Sequence, residues 1–157
     1  MSFSSTARRA IALAVIGGAL VGLVGSASAS DASIKAVIRS YNSKIGVAED
    51  HVVRAIGSYK QTGNAKKVQA ALTKAIEVFQ VLKSKIAVQS AARRRVKAGK
   101  AKLENGLQSV SVAYRKLAKA FGEKRASPAT AKAEAKTALA EVKKGRAELV
   151  EGVKLLK

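Results

Sequence analysis

Apolar residues recur at alternating spacings of three and four along the chain after residue 30, which is the spacing of one face of an α-helix. The pattern falls into four segments and predicts helices at about 32–59, 65–88, 91–121 and 128–156. Each segment has one apolar stripe, which we expect to face a shared core. On the first helix this stripe consists of Ile34, Ile38, Tyr41, Ile45, Ala48, Val52, Ala55 and Tyr59.

The other three segments have stripes of the same spacing. The stripe of the second helix consists of Val68, Leu72, Ala75, Phe79, Leu82 and Ile86. The stripe of the third consists of Val96, Leu103, Leu107, Val110, Tyr114, Leu117 and Phe121. The stripe of the fourth consists of Ala135, Leu139, Val142, Leu149, Val153 and Leu156. Every aromatic residue after residue 30 occupies one of these positions, so we expect the aromatic rings in the core.

Residues that begin and end helices support most of these boundaries. Asp31 is placed to cap the first helix. Gly63 can end that helix in a left-handed conformation, and Asn64 can cap the second. Near the fourth helix, Gly122 ends the preceding segment, while Ser127 is placed as a cap with Pro128 in the first turn.

The boundary between the second and third helices is less marked, because the apolar register continues without a phase change from 65 to 121. One reading is a single helix of roughly 85 Å, at 1.5 Å per residue. The other is a turn near Gln89 and Ser90, with Ser90 as a new cap. The turn gives four helices of similar length, which can pack side by side. The sequence therefore favours an antiparallel, up-down four-helix bundle.

Two pairs of glycines predict a close contact between helices. Gly99 and Gly106 are seven residues apart on the third helix, and Gly145 and Gly152 are seven apart on the fourth. A glycine inside a helix costs about 1 kcal/mol relative to alanine. Four glycines at matching heptad positions therefore indicate that the third and fourth helices approach each other closely.

The first 29 residues are typical of a secretory signal peptide. Arg8 and Arg9 precede a short apolar stretch, "AIALAVIGGALVGLV", and small residues ending in Ala29 follow it. The apolar stretch is shorter than the roughly 20 residues needed to span a bilayer. We therefore expect cleavage after Ala29, a mature domain at 30–157, and a secreted or envelope-associated protein. The arginine pair leaves both the general and the twin-arginine export routes open.

The composition points to anionic partners. The chain has 30 basic and 10 acidic residues and no cysteine. A charge excess of this size attracts polyanions and acidic surfaces. The densest run is "QSAARRRVKAGKAK", residues 89–102, which contains no acidic residue. Its six cations are the candidate anion-binding residues: Arg93, Arg94, Arg95, Lys97, Lys100 and Lys102. Because neighbouring residues on a helix point about 100° apart, we expect Arg93 to aim at the apolar stripe and Arg94 and Arg95 outward.

Residue patterns that carry catalysis are absent from the sequence. The only histidine is His51, for which the readings are an exposed side chain or a pair with Glu49 or Asp50. There is no phosphate-binding glycine loop and no nucleophile elbow. We therefore expect a non-enzymatic protein without metal or cofactor. Aromatic residues in the core also argue against base recognition in nucleic acids, which uses exposed aromatic rings.

The whole chain, from "ARRAIALAVIGGALVGLVGSASA" to "KAEAKTALAEVKKGRAELVEGVKLL", resembles uncharacterised small secreted proteins of high-GC Gram-positive bacteria. These combine a signal peptide with an Ala/Lys-rich helical domain. The sequence predicts a monomeric or weakly dimeric protein that associates electrostatically with anionic envelope polymers, acidic lipid surfaces or sulfated glycans. The alternative is a helical structural or protein-interaction module whose charge serves only solubility.

Overall fold

In the part of the chain that the structure describes, four helices pack together as a bundle. The structure, a computed structural model, describes residues 29–122 and 128–156. The helices are α1 (Ala29–Thr62), α2 (Ala65–Ala87), α3 (Arg94–Gly122) and α4 (Pro128–Leu155). No strand occurs in the described residues. The prediction of an all-α fold with four helices is therefore confirmed, and the reading of 65–121 as one long helix is wrong.

The apolar stripes form one continuous core. All but three of the predicted stripe residues are buried. The exceptions are Tyr59, Phe121 and Leu139, which are half-buried. Tyr59 and Phe121 nevertheless contact each other edge to face, with ring centroids 5.0 Å apart. The periodicity of the sequence therefore located the core side of every helix.

The turn between α1 and α2 forms as the sequence predicts, although α1 is longer at both ends. Gly63 has a φ angle of 63°, a backbone conformation that glycine adopts at little cost. The Asn64 side chain accepts a hydrogen bond of 3.1 Å from the Lys67 amide and so caps α2. At the other end α1 begins at Ala29, so Asp31 lies within its first turn and is not the capping residue.

The connection between α2 and α3 is longer than expected. Helix α2 ends at Ala87 and α3 begins at Arg94, so the predicted cap at Ser90 is wrong. The connecting residues are tied to the bundle: Ala91 packs against the core, and the Gln89 amide donates to the Ile86 carbonyl at 3.0 Å. A six-residue connection, Val88 to Arg93, therefore replaces the tight turn.

The boundaries around the last connection agree with the sequence where the structure describes them. Helix α3 ends at Gly122, and Pro128 is the first residue of α4. Proline suits this position because the first helical residues have no intrahelical partner for their N–H groups. The predicted cap at Ser127 lies outside the described residues.

Helices α3 and α4 are the most closely packed pair, and the four glycines make this packing possible. A Cβ atom added to Gly106 would lie 2.7 Å from the Gly145 carbonyl oxygen, and one added to Gly152 would lie 3.0 Å from the Gly99 carbonyl oxygen. The predicted close approach is therefore confirmed. Ala113, seven residues after Gly106, and Ala138, seven residues before Gly145, are completely buried and extend this row of small residues.

A buried ion pair connects α1 to α4. The Arg146 guanidinium donates a hydrogen bond of 2.7 Å to the Glu49 carboxylate, whose side chain is only 5% exposed. The Tyr114 hydroxyl of α3 is buried close enough to this pair for both charges to affect its pKa, and the Tyr114 ring contacts that of Phe79 on α2 at 5.7 Å. Burying two charges is costly unless they are paired and hydrogen-bonded. The ion pair and these two rings therefore bring side chains of all four helices together inside the core.

Burial raises the pKa of Tyr114 from 10.0 to about 12. The nearby Glu49 carboxylate raises the pKa further, and Arg146 partly opposes the change. A phenol whose pKa is higher in the folded state than in the unfolded state contributes to stability at pH values below its unfolded-state pKa. That contribution is lost as the pH rises through the folded pKa.

Replacing glycine by alanine should have opposite effects at Gly106 and Gly57. The Gly106→Ala Cβ would collide with the Gly145 carbonyl, so we expect a loss of about 2 kcal/mol in the free energy of unfolding. Gly57 is inside α1 with no atom within 4 Å of an added Cβ, so Gly57→Ala should stabilise by about 1 kcal/mol. Urea denaturation of both variants measures the two effects. Equal changes would show that the glycine contact is not tight.

Tyr114→Phe should remove one alkaline transition from the stability profile. We expect the free energy of unfolding of the wild type to fall, relative to the variant, by about 2–3 kcal/mol between pH 10 and pH 12. All other titratable groups are the same in both proteins, so their contribution cancels in the difference. Denaturation with urea at a series of pH values measures it. Parallel profiles up to pH 12 would mean that the hydroxyl is not held in its neutral form.

Candidate anion-binding segment at the start of α3

The six candidate cations lie in the connection before α3 and in its first three turns. Arg93 ends the connection, and Arg94 and Arg95 are the first two residues of the helix. The first four cations, including Lys97, are exposed, while Lys100 and Lys102 are half-buried. The expectation that Arg93 aims at the apolar stripe is wrong, because Arg93 precedes the helix and is exposed.

The exposed arginines occupy an electrostatically unfavourable place. The first turn of α3 contains no acidic residue. The N-terminus of a helix carries a partial positive charge from its unpaired N–H groups, so cations there destabilise the helix and anions stabilise it. Arg94, Arg95 and Lys97 therefore do not stabilise their own helix by charge, and an external anion would relieve the repulsion among them.

Arg95 has a contact with the neighbouring helix. Its guanidinium donates a long hydrogen bond of 3.4 Å to the carbonyl oxygen of Lys154, in the last turn of α4. Carbonyl groups at the end of a helix have no partner within the helix and carry partial negative charge. Arg95 therefore helps to satisfy the end of α4 while its side chain stays exposed.

Lys100 has a structural role. Its ammonium group donates to the carbonyl oxygens of Ala87 and Gln89, both at 2.6 Å, and lies 3.8 Å from the Glu104 carboxylate. These carbonyls follow the last turn of α2, where the helix leaves its acceptors unpaired. Lys100 thus fixes the end of α2 and the connection that follows it, and it is not available as a surface cation.

Lys102 is also engaged. Its ammonium lies 3.1 Å from the Glu151 carboxylate on α4, and both side chains are about half exposed. The charge of Lys102 is therefore largely compensated. Of the six candidates, Arg93, Arg94, Arg95 and Lys97 are exposed, and we call these four the arginine cluster.

The sequence contained a signal for the role of Lys100. Position 100 continues the apolar stripe of α3, between Val96 and Leu103, but carries a lysine. A lysine at such a position buries its hydrocarbon chain and directs its ammonium group to the nearest acceptors. The acidic partner of Lys102 lies on another helix. The sequence alone therefore does not indicate this pair, which depends on how α3 packs against α4.

The pair of His51 with Glu49 or Asp50, which the sequence left open on α1, does not form. His51 is exposed, and Glu49 pairs with Arg146. Asp50 lies 3.9 Å from Arg54. In residues 29–122 and 128–156, no three metal-ligating side chains come together. Within the same ranges, no helix has the length and apolar character required to cross a bilayer.

Comparisons with protein-family models, with curated proteins and with solved structures found no match for this chain. The description of the site therefore depends on its own geometry and charge.

Lys100 and Lys97 should differ in their effect on stability. Lys100→Met leaves the carbonyls of Ala87 and Gln89 without a charged donor, and we expect a loss of about 1–2 kcal/mol in the free energy of unfolding. Lys97→Met, three residues away on the exposed surface, should change it by no more than about 0.5 kcal/mol. Urea denaturation at neutral pH distinguishes them. Equal stabilities would show that Lys100 does not fix the end of α2.

Proposed function

We propose that this chain is a secreted, basic, non-enzymatic helical-bundle protein that associates electrostatically with anionic polymers of the cell envelope or extracellular space. The observation that carries the proposal is the arginine cluster. Four exposed cations lie at the N-terminus of α3 without any acidic residue in its first turn. A bound sulfate, phosphate or carboxylate group would neutralise both these side chains and the positive end of the helix.

The proposed arrangement of the helices is antiparallel and up-down. Contacts between neighbouring helices support it, because partner numbers fall as positions rise: Gly99 lies against Gly152 and Gly106 against Gly145. Likewise, Gln69 donates to the Ala118 carbonyl and Lys83 to Gln108. In this arrangement the start of α3 lies beside the ends of α2 and α4, which is where Lys100 and Arg95 find their carbonyl acceptors.

Export supports the choice of an extracellular partner. We infer that residues 1–29 form a signal peptide that is cleaved after Ala29; residues 1–28 of this segment lie outside the described part of the chain. The resemblance to small secreted proteins of high-GC Gram-positive bacteria points the same way. Outside the cell, the available polyanions are envelope polymers, acidic lipid headgroups and sulfated glycans.

Binding of this kind has low specificity. It arises from the release of counterions by the polymer, so the affinity falls steeply as salt rises. The ring of Tyr114 is buried, and those of Tyr59 and Phe121 contact each other. Rings in such positions do not provide a platform for stacking bases. The partner is therefore recognised by its charge density rather than by its sequence.

A second candidate function is a helical structural or protein-interaction module, with a weak homodimer as its simplest form. The observation that favours it is a set of exposed valines on three helices and the α2–α3 connection. Val88 is 80% exposed and Val47 is 54% exposed. In this case the positive charge would only maintain solubility. Sedimentation over a range of protein concentrations would reveal the dimer.

Neutralising the arginine triplet should weaken binding to polyanions. We expect residues 30–157 to be retained on immobilised heparin and on purified cell wall at low salt. In the variant Arg93→Gln, Arg94→Gln, Arg95→Gln, the slope of log affinity against log salt should decrease by about 2, since each contact contributes about 0.7–0.9. Elution across a salt series measures the change.

The control variant is Lys136→Gln, Lys143→Gln, Lys144→Gln, which removes the same charge from exposed positions of α4. It should change the slope by less than half as much. No retention of the wild type at low salt would contradict the proposal and direct attention to protein partners.

A further inference from the structure

The positive charge is distributed unequally among the four helices. Helices α2 and α3 together contain 13 basic and 2 acidic residues, whereas α1 and α4 contain 11 basic and 7 acidic residues. The two middle helices, at 23 and 29 residues, contain 52 residues in total, fewer than the 62 of α1 and α4. Most of the excess positive charge therefore lies on α2 and α3, which are consecutive in the chain. It extends along both helices and is not limited to the arginine cluster near the connection between them.

Packing places this charge on one side of the bundle. Helices α2 and α3 are neighbours, joined by the hydrogen bonds from Gln69 to the Ala118 carbonyl and from Lys83 to Gln108. Helices α1 and α4 are connected on the other side by the pair of Glu49 with Arg146. The bundle consequently has a strongly cationic side, formed by α2 and α3, and a less cationic side, formed by α1 and α4.

Ion pairs between α3 and α4 reduce this difference without removing it, because they use acidic residues of α4 to compensate cations of α3. Lys102 pairs with Glu151 at 3.1 Å and Lys116 with Glu141 at 2.6 Å, so the cations of α3 that face α4 are compensated. On the cationic side the acidic residues are Glu77 and Glu104, and Glu104 lies near Lys100. The other exposed basic side chains on α2 and α3 are Lys66, Lys67, Lys74, Lys85, Arg94, Arg95, Lys97, Arg115 and Lys119.

We infer that the side formed by α2 and α3 is the binding surface, and that its ligand is a linear polymer bearing sulfate or phosphate esters that lies along the two helices. This inference rests on the proposed function and identifies where the polymer binds. Helices of these lengths extend over about 34 and 43 Å. A small anion could contact only one end of such a surface, whereas a polymer can contact cations along its whole length.

The chemistry of the surface favours a polymer without bases. Phe79 and Tyr114, the aromatic residues at the centre of α2 and α3, are completely or almost completely buried. Phe121, at the end of α3, packs against Tyr59 of α1. Without exposed rings, the charged groups of this surface are mainly lysine and arginine, which bind sulfate and phosphate groups by charge and hydrogen bonds.

Two variants with the same net charge test the location. The first is Lys66→Gln, Lys67→Gln, Lys74→Gln, Arg115→Gln, all on α2 and α3 and away from the arginine cluster. The control is Arg39→Gln, Lys136→Gln, Lys143→Gln, Lys144→Gln, on α1 and α4. All eight side chains are exposed, and each variant loses three lysines and one arginine. Circular dichroism and urea denaturation establish that each variant is folded.

The probes are size-defined heparin and inorganic polyphosphate, with titrations at several salt concentrations. We expect the first variant to bind about 100-fold more weakly near 0.1 M salt, with a slope against log salt reduced by about 3. The control should lose no more than about fivefold, because its charges act only through a screened field. If the first variant fails to fold, Lys74→Gln, Arg115→Gln takes its place, with Lys136→Gln, Arg39→Gln as its control.

Each outcome separates the two proposals. Equal losses in both variants, with wild-type binding intact, would overturn the location and leave electrostatic association standing. No binding of the wild type to either probe at low salt would overturn the proposed function itself. Much tighter binding of single-stranded DNA than of polyphosphate with equal charge would overturn the choice of a polymer without bases.

Discussion

The contact of the α3 and α4 backbones at their glycines determines much of the remaining structure. Because Gly106 and Gly152 have no side chain, the two helices approach until an added Cβ would meet the opposite carbonyl at 2.7–3.0 Å. At this separation Lys102 reaches Glu151 and Lys116 reaches Glu141, and each lysine forms an ion pair across the two helices. The acidic residues of α4 are thereby used on the α3 side. The backbone contact between α3 and α4 thus influences which surface cations of α3 are paired with acidic residues of α4.

An acidic residue also forms an ion pair inside the core. Glu49, one of only ten acidic residues, is buried against Arg146. The pair removes one acidic and one basic side chain from the surface together, and holding them inside the core demands accurate geometry. The pair also holds α1 to α4, which pack less closely than the consecutive helices do.

Periodicity predicted the helices and their core sides because burial of apolar residues follows directly from spacing along a helix. Local chemistry also predicted the turn at Gly63 and the cap at Asn64, since both involve neighbouring residues. The connection after Ala87 was harder, because Lys100, thirteen residues away, determines it. The candidate site changed for the same reason. The partner of Lys102 is on another helix, and spacing along one helix carries no information about it. The larger positive charge of α2 and α3, in contrast, follows directly from the sequence once the bounds of the helices are known.

The row of small residues has a further consequence for how the two helices find their alignment. Gly99, Gly106 and Ala113 repeat every seven residues, as do Ala138, Gly145 and Gly152. A sliding of α4 along α3 by one heptad, roughly 10 Å, would again place small residues opposite one another. The apolar stripes repeat with the same period and do not oppose such a shift. Arg146 and Glu49 occur once each, and the displacement would separate them and leave two buried charges unpaired, at about 3–5 kcal/mol. The same displacement would separate the exposed pairs Lys102–Glu151 and Lys116–Glu141. The ion pairs, above all the buried one, therefore favour one alignment of α4 over the alternatives shifted by a heptad.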